Sequence, residues 1–313
     1  MLIQGKNGPL FKKIFDKDKV VFFNSKRFIF FSHLFLKYIK TRKFDYVYST
    51  LSHMSMFLLI LKICGILKSK LIVRESNFIR NIINSSKIKF LLIIYYKLLY
   101  KKIDTVIASS KTIKNDIANI TKIQKKKIIV IYNPVEKIFF KNTSNKKLLS
   151  KKIKFLSIGR LDIQKDYENL LLSLNKIKNL KWELKIIGKG PRKQNIIELI
   201  KKFKLKSKVK LISNSNKIRE EIKKCDFYLN SSLWEGMPNA VLESLIMRKK
   251  VFFLNKIEIF SELKKIFSNQ VFILENNFRP DKHHFSYSKN YVFKNTNFFR
   301  IENTSRKFES ILK

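Results

Sequence analysis

The chain has 313 residues, 45% of them hydrophobic, so it is long enough for two globular domains and too apolar for a disordered protein. Its net charge is +44, from 67 basic and 23 acidic residues, a balance found in proteins that bind nucleic acid or anionic membranes. The lysines are spread along the whole chain, however, which argues against a dedicated nucleic-acid surface. Cys64 and Cys225 are too few for a disulfide framework or a metal site, and they fit a reducing cytosol.

The sequence predicts neither a secretory leader nor a membrane span. The start, Met1-Leu-Ile-Gln-Gly, turns polar at once. The longest apolar stretches, Met56–Leu67 and Phe90–Tyr100, are interrupted by Lys62 and Lys97 and are too short to cross a bilayer. We therefore expect a cytoplasmic protein, with peripheral contact to the anionic inner membrane favoured by its basic surface.

The first half of the chain alternates predicted strands with predicted helices. Leu2-Ile3 is the stub of a first strand. The other predicted strands are Val20–Asn24, Tyr46–Ser49, Lys70–Val73, Thr105–Ser109 and Lys127–Tyr132. The predicted helices are Phe28–Lys40, Ser55–Leu67, Lys87–Tyr100 and Thr112–Ile120. Such alternation indicates an α/β fold with a parallel, doubly wound sheet.

The alternation restarts after a polar, lysine-rich stretch, 142–152, which is the predicted linker between domains 1–141 and 153–299. The predicted strands there are Ile153–Ser157, Glu183–Ile187, Val209–Ile212 and Phe227–Asn230. The predicted helices are Tyr167–Lys176, Gln194–Phe203 and Ile218–Lys224. Two Rossmann-like domains facing a cleft follow from this pattern. Ligands of such sheets bind at the carboxyl ends of the strands.

The densest cluster of informative residues runs from Ser231 to Ser244, directly after a predicted strand. Gly236 suits a tight loop, and Pro238 suits the first position of a helix, so a helix is predicted to begin there. The first backbone N–H groups of that helix would bind an anion, while Glu235 and Glu243 could accept hydrogen bonds from sugar hydroxyls. The alternative is a surface helix whose carboxylates favour the positive end of its dipole.

Cations follow the first strand of the second predicted domain. Arg160 and Lys165 would end near the same sheet edge as Gly188 and the Trp234-Glu235-Gly236 turn. A bidentate arginine is well suited to a phosphate. With Asp162 and Asp166 beside them, the two cations could instead form a solvated charge cluster.

Several motifs, in order and spacing, resemble glycosyltransferase family four, the retaining sugar-nucleotide transferases of GT-B architecture. They are Ser157-Ile-Gly-Arg-Leu161, Gln164-Lys165-Asp166, Ile187-Gly-Lys-Gly-Pro191, Cys225-Asp226-Phe227 and Leu233–Glu243. Weaker similarity extends upstream through Gly8-Pro-Leu, Ser25-Lys-Arg27, Ser49-Thr-Leu-Ser-His53, Arg74-Glu75, Ser109-Ser-Lys111 and Tyr132-Asn-Pro-Val135. The Trp-Glu-Gly-Met-Pro-Asn segment resembles members that build lipopolysaccharide, capsule or other surface glycans.

The resemblance implies a role for each matching residue. Arg160 and Lys165 would bind the donor diphosphate, Glu235 would hold the donor sugar near the reacting carbon, and Glu243 would bind the ribose. Gly188 would belong to the donor site as part of the Ile187–Pro191 loop. The backbone from Gly236 through Met237, Pro238, Asn239 and Ala240 would hold phosphate and sugar. His53, Arg74 and Glu75 are candidates on the first-domain side. No metal or other cofactor is expected, because cations and the helix dipole stabilise the leaving nucleoside diphosphate.

The chain departs from the family pattern in three places. The first strand, glycine-rich loop and helix of the family are missing, so we expect a first domain without its first βα unit. Ser76 stands where the family often has histidine, and 250–260 contains no glycine. An inactive, truncated relative is therefore one alternative to a glycosyltransferase that uses a lipid-linked or saccharide acceptor. A basic nucleic-acid-binding protein is another.

Two further groups of polar residues are predicted to have no role in the site. Asp16-Lys-Asp18 resembles a metal-binding Asp-x-Asp but lies in a lysine-rich loop. His283 and His284 are adjacent and are interpreted as loop residues. The tail, Arg300–Leu312, within a final segment 300–313, resembles the family's closing helix, which packs back on the first domain.

Overall fold

The computed structural model describes residues 2–3, 21–22, 28–140, 152–177, 180–274 and 296–313. These residues belong to two compact units. Unit 1 comprises Met1–Val73 with Lys102–Thr105, and unit 2 comprises Arg74–Lys101 with Val106–Lys313. The predicted linker 142–152 lies outside the described residues except for Lys152, so the division at that linker stays a prediction.

Unit 1 is built from short parallel strands and two helices. Its elements are β1 (Leu2–Ile3), β2 (Val21–Phe22), α1 (Phe28–Lys40), β3 (Tyr46–Ser49), α2 (Ser52–Ile63) and the first four residues of β4 (Lys70–Glu75). Strand β1 pairs in parallel with β2, and β3 pairs in parallel with the first part of β4. The predictions for α1 and β3 are confirmed to the residue. The core of unit 1 includes Leu59, Leu71 and Val73, all fully buried.

The first part of unit 2 continues the strand–helix alternation. It contains α3 (Ile79–Ser85), α4 (Lys89–Ile94), β5 (Thr105–Ala108, of which Thr105 belongs to unit 1), α5 (Lys111–Thr121) and β6 (Ile128–Val130). Helix α4 continues as a π-helical turn, Tyr95–Leu99, and then a 3-10 turn, Tyr100–Lys102. Strands β5 and β6 pair in parallel. The Ser110 hydroxyl caps α5 by accepting a hydrogen bond from the Ile113 N–H at 3.0 Å.

The second part of unit 2 is a six-stranded parallel sheet with helices after its strands. Its strands are β7 (Ile153–Ile158), β8 (Trp182–Ile187), β9 (Val209–Ile212), β10 (Phe227–Asn230), β11 (Lys250–Phe253) and β12 (Val271–Ile273). Its helices are α6 (Tyr167–Asn175), α7 (Lys193–Lys202), α8 (Ile218–Lys224), α9 (Asn239–Ile246), α10 (Phe260–Ile266) and α11 (Ile301–Glu309). The strand order is β12-β11-β10-β7-β8-β9.

Consecutive residues of these strands pack into two different hydrophobic cores. Phe155 and Phe227 lie in one core, whereas their neighbours Leu156 and Tyr228 lie in the other. Because side chains alternate across a strand, the two cores cover opposite faces of the sheet. The predicted α/β class with doubly wound parallel sheets is thus confirmed.

The tail returns to the first part of unit 2. The Val135 N–H donates to the Phe299 carbonyl at 2.8 Å, just before α11 begins. Phe299 is fully buried and packs against Tyr132.

Both cysteines are free, Cys64 exposed and Cys225 buried. Throughout the described ranges, no helix is both long enough and apolar enough to cross a bilayer.

Candidate functional site

Helix α9 begins where the sequence predicts, with Pro238 as the residue before its first turn. The first backbone hydrogen bond of the helix runs from the Leu242 N–H to the Pro238 carbonyl at 3.0 Å. The N–H groups of Asn239, Ala240 and Val241 therefore precede the hydrogen-bonded ladder, and no side chain caps them among the described residues. A helix start of this kind presents aligned N–H donors and the positive end of the helix dipole to an anion.

The loop before α9 passes so close to Ser76 that its residue 236 must be glycine. A β-carbon on Gly236 would lie 1.8 Å from the backbone oxygen of Ser76. Gly188 is confined in the same way, because its β-carbon would lie 1.8 Å from the Gly159 carbonyl oxygen. These two glycines thus allow backbone segments to approach each other at the site.

Glu235 is buried and holds a cation. Its carboxylate pairs with the Lys165 ammonium through Oε1 and accepts a hydrogen bond from the Ser232 hydroxyl at 2.8 Å. Only 7% of Glu235 is exposed. A buried carboxylate needs such partners, because an unpaired charge away from water is costly. The predicted meeting of the Lys165 and Glu235 segments is confirmed by this geometry.

Three hydrogen bonds to backbone carbonyls join the turn after β7 to the loop after β10. The Ser231 hydroxyl donates to the Lys165 carbonyl at 2.6 Å, and the Gln164 side-chain amide donates to the Trp234 carbonyl at 2.8 Å. A third hydrogen bond runs from the Leu233 N–H to the Gln164 carbonyl at 2.8 Å. Because β7 and β10 are neighbours in the sheet, their carboxyl ends meet at one edge, and these bonds fix the two loops there.

A cavity of about 340 Å³ opens at this edge. It is lined by Ser76, Asn77, Asn133, Ile158, Gly159, Lys165, Tyr228, Asn230, Glu235, Gly236, Met237, Pro238, Asn239 and Ala240. Seven of the residues singled out from the sequence, Lys165 and Glu235 to Ala240, are therefore gathered around one space. Polar side chains such as Lys165, Glu235 and Asn239 within this lining can hydrogen-bond a small ligand.

Three predicted donor residues lie near the cavity without lining it. Arg160 follows Gly159 and is exposed, with its Nε 3.5 Å from Asp162 Oδ2. Gly188 packs against the Gly159 carbonyl. Glu243 lies one turn inside α9 and is partly buried. Burial raises the pKa of Glu243 to about 7, and the nearby carboxylate of Glu136 raises it in the same direction.

Asn133 is a site residue whose role the sequence did not reveal. Its side-chain amide donates to the Met237 carbonyl at 2.9 Å and to Asn239 Oδ1 at 2.7 Å. Its own Oδ1 accepts a hydrogen bond from the Arg74 guanidinium at 2.7 Å. Arg74 thus reaches the start of α9 through Asn133. The motif Tyr132-Asn-Pro-Val135 was the available signal, but the contact spans more than 100 residues and has no local pattern.

Glu75 lies in the interior and not at the cavity, contrary to the expectation of a ligand-facing role. Its carboxylate accepts hydrogen bonds from the hydroxyls of Tyr96 at 3.3 Å and Tyr100 at 3.1 Å. Burial raises the pKa of Glu75 to about 7, although the two tyrosine hydrogen bonds lower it. The alternation of β4 explains the difference, because adjacent residues of a strand face opposite sides.

The remaining candidates lie elsewhere in the chain. His53 is exposed on α2 of unit 1. Asp16-Lys-Asp18, the pair His283 and His284, and the segments at Gly8 and Ser25 lie outside the described residues. Within the described part of the chain, no group of three or more His, Cys, Asp or Glu side chains is arranged to hold a metal ion.

Two family models match the chain and together span most of it. Residues 9–137 match the model of Glycosyltransferase Family 4, and residues 139–281 match the model of glycosyl transferases group 1. The two matches meet just before the predicted linker.

Two relatives of known sequence are similar to the chain. The N-acetylgalactosamine-N,N'-diacetylbacillosaminyl-diphospho-undecaprenol 4-alpha-N-acetylgalactosaminyltransferase of Campylobacter jejuni is 32% identical over 57% of this chain and 49% of that protein. An uncharacterized glycosyltransferase of Methanocaldococcus jannaschii is 30% identical over 78% of this chain and 66% of that protein. The chain thus spans about half of the first relative and less than two thirds of the second.

A solved structure shows the same fold. HepE of Anabaena, solved in complex with UDP and glucose, matches over 99% of this chain and 91% of its own, with a TM-score of 0.75 and 13% identity. The likeness confirms the predicted GT-B fold class.

Proposed function

We propose that this chain, which belongs to Glycosyltransferase Family 4, transfers a sugar from a nucleotide-sugar donor to a lipid-linked or saccharide acceptor in surface-glycan assembly. The observation that carries the proposal is the Lys165–Glu235 pair at the start of α9. A cation, a carboxylate and the first N–H donors of a helix therefore lie around one cavity. A diphosphate and a sugar need those three kinds of group.

The donor diphosphate binds at the positive end of the cavity. There Asn239 and Ala240, whose N–H groups belong to the first turn of α9, line the cavity together with the cation Lys165. Arg160 is exposed one residue beyond the lining and can swing onto the same phosphates. When the diphosphate takes Lys165, Glu235 loses its ionic partner and becomes an acceptor for the hydroxyls of the donor sugar. Glu243 accepts from the ribose hydroxyls.

Transfer breaks the bond between the anomeric carbon and the diphosphate oxygen, and the electron pair leaves with that oxygen. The new bond forms to a hydroxyl oxygen of the acceptor, whose proton passes to the departing phosphate. Lys165, Arg160 and the start of α9 stabilise the negative charge that develops on the leaving group, which lowers the barrier. Retention of configuration is proposed from the family resemblance. Metal independence is proposed because these cations supply the positive charge a divalent ion would bring.

We further propose a cytoplasmic enzyme that works at the inner membrane surface. A lipid-linked acceptor is supported by the Campylobacter relative, whose name describes a diphospho-undecaprenol substrate. The net charge of +44 favours contact with anionic lipids. No specific nucleic acid is proposed as a partner, since the comparisons give that alternative no support.

The proposal is tested with a panel of UDP-, GDP- and other nucleoside-diphosphate sugars, by measuring nucleoside diphosphate release with and without acceptor. We expect one donor to be turned over. Glu235→Ala should lower the rate by about a hundredfold or more, because it removes the carboxylate at the reacting sugar. Glu198→Ala, which changes an exposed carboxylate on α7, is the matched control and should leave the rate unchanged.

The result that contradicts the proposal is the absence of any donor binding or hydrolysis, with Glu235→Ala indistinguishable from the unmodified chain. That outcome would favour the inactive relative considered from the sequence.

A further inference from the structure

The segment 87–101 of unit 2, which contains α4 and most of the helical turns that follow it, has exposed as well as buried large apolar side chains. Its buried side contains Leu92, Tyr95, Tyr96 and Tyr100. Its exposed side contains Phe90, 73% exposed, Leu98, 58% exposed, and Leu91, 52% exposed, together with Ile88 and Ile93. A helix that packs on a soluble core normally has a polar outer side. Five large apolar side chains on one outer side therefore indicate a surface that another phase or molecule covers.

The charged side chains within this part of the chain are all of one sign. Residues 76–101 contain no aspartate or glutamate. The cations of the segment are all exposed and are Arg80, Lys87, Lys89, Lys97 and Lys101. The segment thus combines an apolar strip with flanking lysines, which is the composition of helices that lie in the interface of a membrane.

We propose that this face, the outer side of 87–101, docks on an anionic lipid bilayer. Phe90, Leu91 and Leu98 would enter the boundary between headgroups and acyl chains. Lys89 and Lys97 would keep their ammonium groups at the level of the anionic headgroups, because their long stems can lie along apolar surface. The inference rests on the proposed membrane contact and assigns it to particular residues.

Charge complementarity favours a bilayer over a second copy of the chain. Two copies meeting through this face would bring lysines against lysines, with no carboxylate in the segment to offset them. An anionic lipid surface instead attracts each cation by about 1 kcal/mol. The helical segment is about 20 Å long, so it can lie flat along the surface with its apolar strip downward.

The experiment measures partition of the full chain onto vesicles of phosphatidylcholine, with and without phosphatidylglycerol. The test variant is Phe90→Ser with Leu98→Ser, which keeps every charge. The control is Ile138→Ser with Leu172→Ser, which removes two apolar side chains that are 44% exposed on other elements of unit 2. We expect the test variant to bind the anionic vesicles about tenfold more weakly or worse, and the control to bind like the unmodified chain.

If charge alone held the chain on the vesicles, the test variant and the control would partition onto them equally. Equal partition of the two variants would overturn the proposal. So would a change from dimer to monomer in the test variant, measured by sedimentation, without loss of vesicle binding. Donor binding in solution should be the same in all three proteins. A loss of vesicle partition with intact donor binding therefore separates this inference from the proposed transfer reaction.

Discussion

The Lys165–Glu235 pair explains how the cavity can be stable without a ligand and still offer a cation to a diphosphate. With no ligand, the buried carboxylate of Glu235 is neutralised by Lys165 and by the Ser232 hydroxyl. A diphosphate offers Lys165 more negative charge than a single carboxylate does. When the lysine changes partner, the Glu235 carboxylate keeps the hydrogen bond from the Ser232 hydroxyl and gains hydrogen bonds from the hydroxyls of the donor sugar.

Glu243 makes the stability of the protein depend on pH in a predictable direction. Its pKa is about 7 in the folded chain against an ordinary value of 4.5, so the unfolded chain loses this proton first. The contribution of protonated Glu243 to the free energy of unfolding is complete below pH 4.5 and is lost as the pH rises through 7. Glu243→Gln should therefore raise the unfolding free energy at pH 8 by about 1–2 kcal/mol, allowing for screening by solvent, and change it little at pH 4.

Thermal unfolding at several pH values measures this effect. Glu198→Gln, which changes an exposed glutamate on α7, is the matched control. If Glu243→Gln changed the free energy of unfolding equally at pH 4 and pH 8, burial would not be raising the pKa of Glu243.

Residues with a chemical signature could be found from the sequence, and residues that act through geometry could not. Lys165 and Glu235 stood out because cations and carboxylates near glycine turns indicate a phosphate and sugar site. Asn133 joins Arg74 to the start of α9 by contacts that depend on the fold. Glu75 was misplaced because position in a strand, and not residue type, decides which side it faces.

At the scale of elements, one carboxylate joins the first part of unit 2 to its second part. Glu262 on α10 accepts hydrogen bonds from the Lys111 N–H at 2.9 Å, the Thr112 N–H at 2.7 Å and the Tyr132 hydroxyl at 2.8 Å. These bonds satisfy the first turn of α5, more than 100 residues away in the chain, and place a negative charge at its positive end.

Removal of this cap should weaken the whole unit. Glu262→Ala leaves two backbone donors and the hydroxyls of Thr112 and Tyr132 without their acceptor, so the free energy of unfolding should fall by about 2–3 kcal/mol. Tyr132→Phe removes only one of the hydrogen bonds and should cost about 1 kcal/mol. Urea unfolding of the two variants checks the order. Equal stability of Glu262→Ala and the unmodified chain would mean that α5 does not depend on this cap.

Elements with a clear period or a local cap were predictable, and those stabilised from a distance were not. Strands β9 and β10 and helix α8 begin and end at the predicted residues. Helix α3 was not predicted, because its Ile79 N–H is capped by Asp116, which lies on α5. Strand β11 was not predicted, because a short apolar run has no period that distinguishes a strand from a buried helix segment. Its residues Val251 to Phe253 are a buried apolar run typical of a central parallel strand.

At the scale of the molecule, unit 2 contains the entire cavity although two family models divide its residues. Ser76, Asn77 and Asn133 lie in the part matched by the first model, and Lys165 and Glu235 lie in the part matched by the second. The departure from the family pattern in 250–260 thus spares every residue that lines the cavity.

The central claim is that a nucleoside diphosphate takes Lys165 from Glu235, and calorimetric titration of the full chain with UDP and GDP tests it most directly. One nucleotide should bind the unmodified chain. Lys165→Ala should weaken that binding about tenfold or more, since a charge-assisted contact to phosphate is lost. Glu235→Gln should bind the nucleotide at least as tightly as the unmodified chain, because it frees Lys165, while sugar transfer is lost. If Glu235→Gln weakens nucleotide binding as much as Lys165→Ala does, or if Lys165→Ala has no effect, the account of this site is wrong.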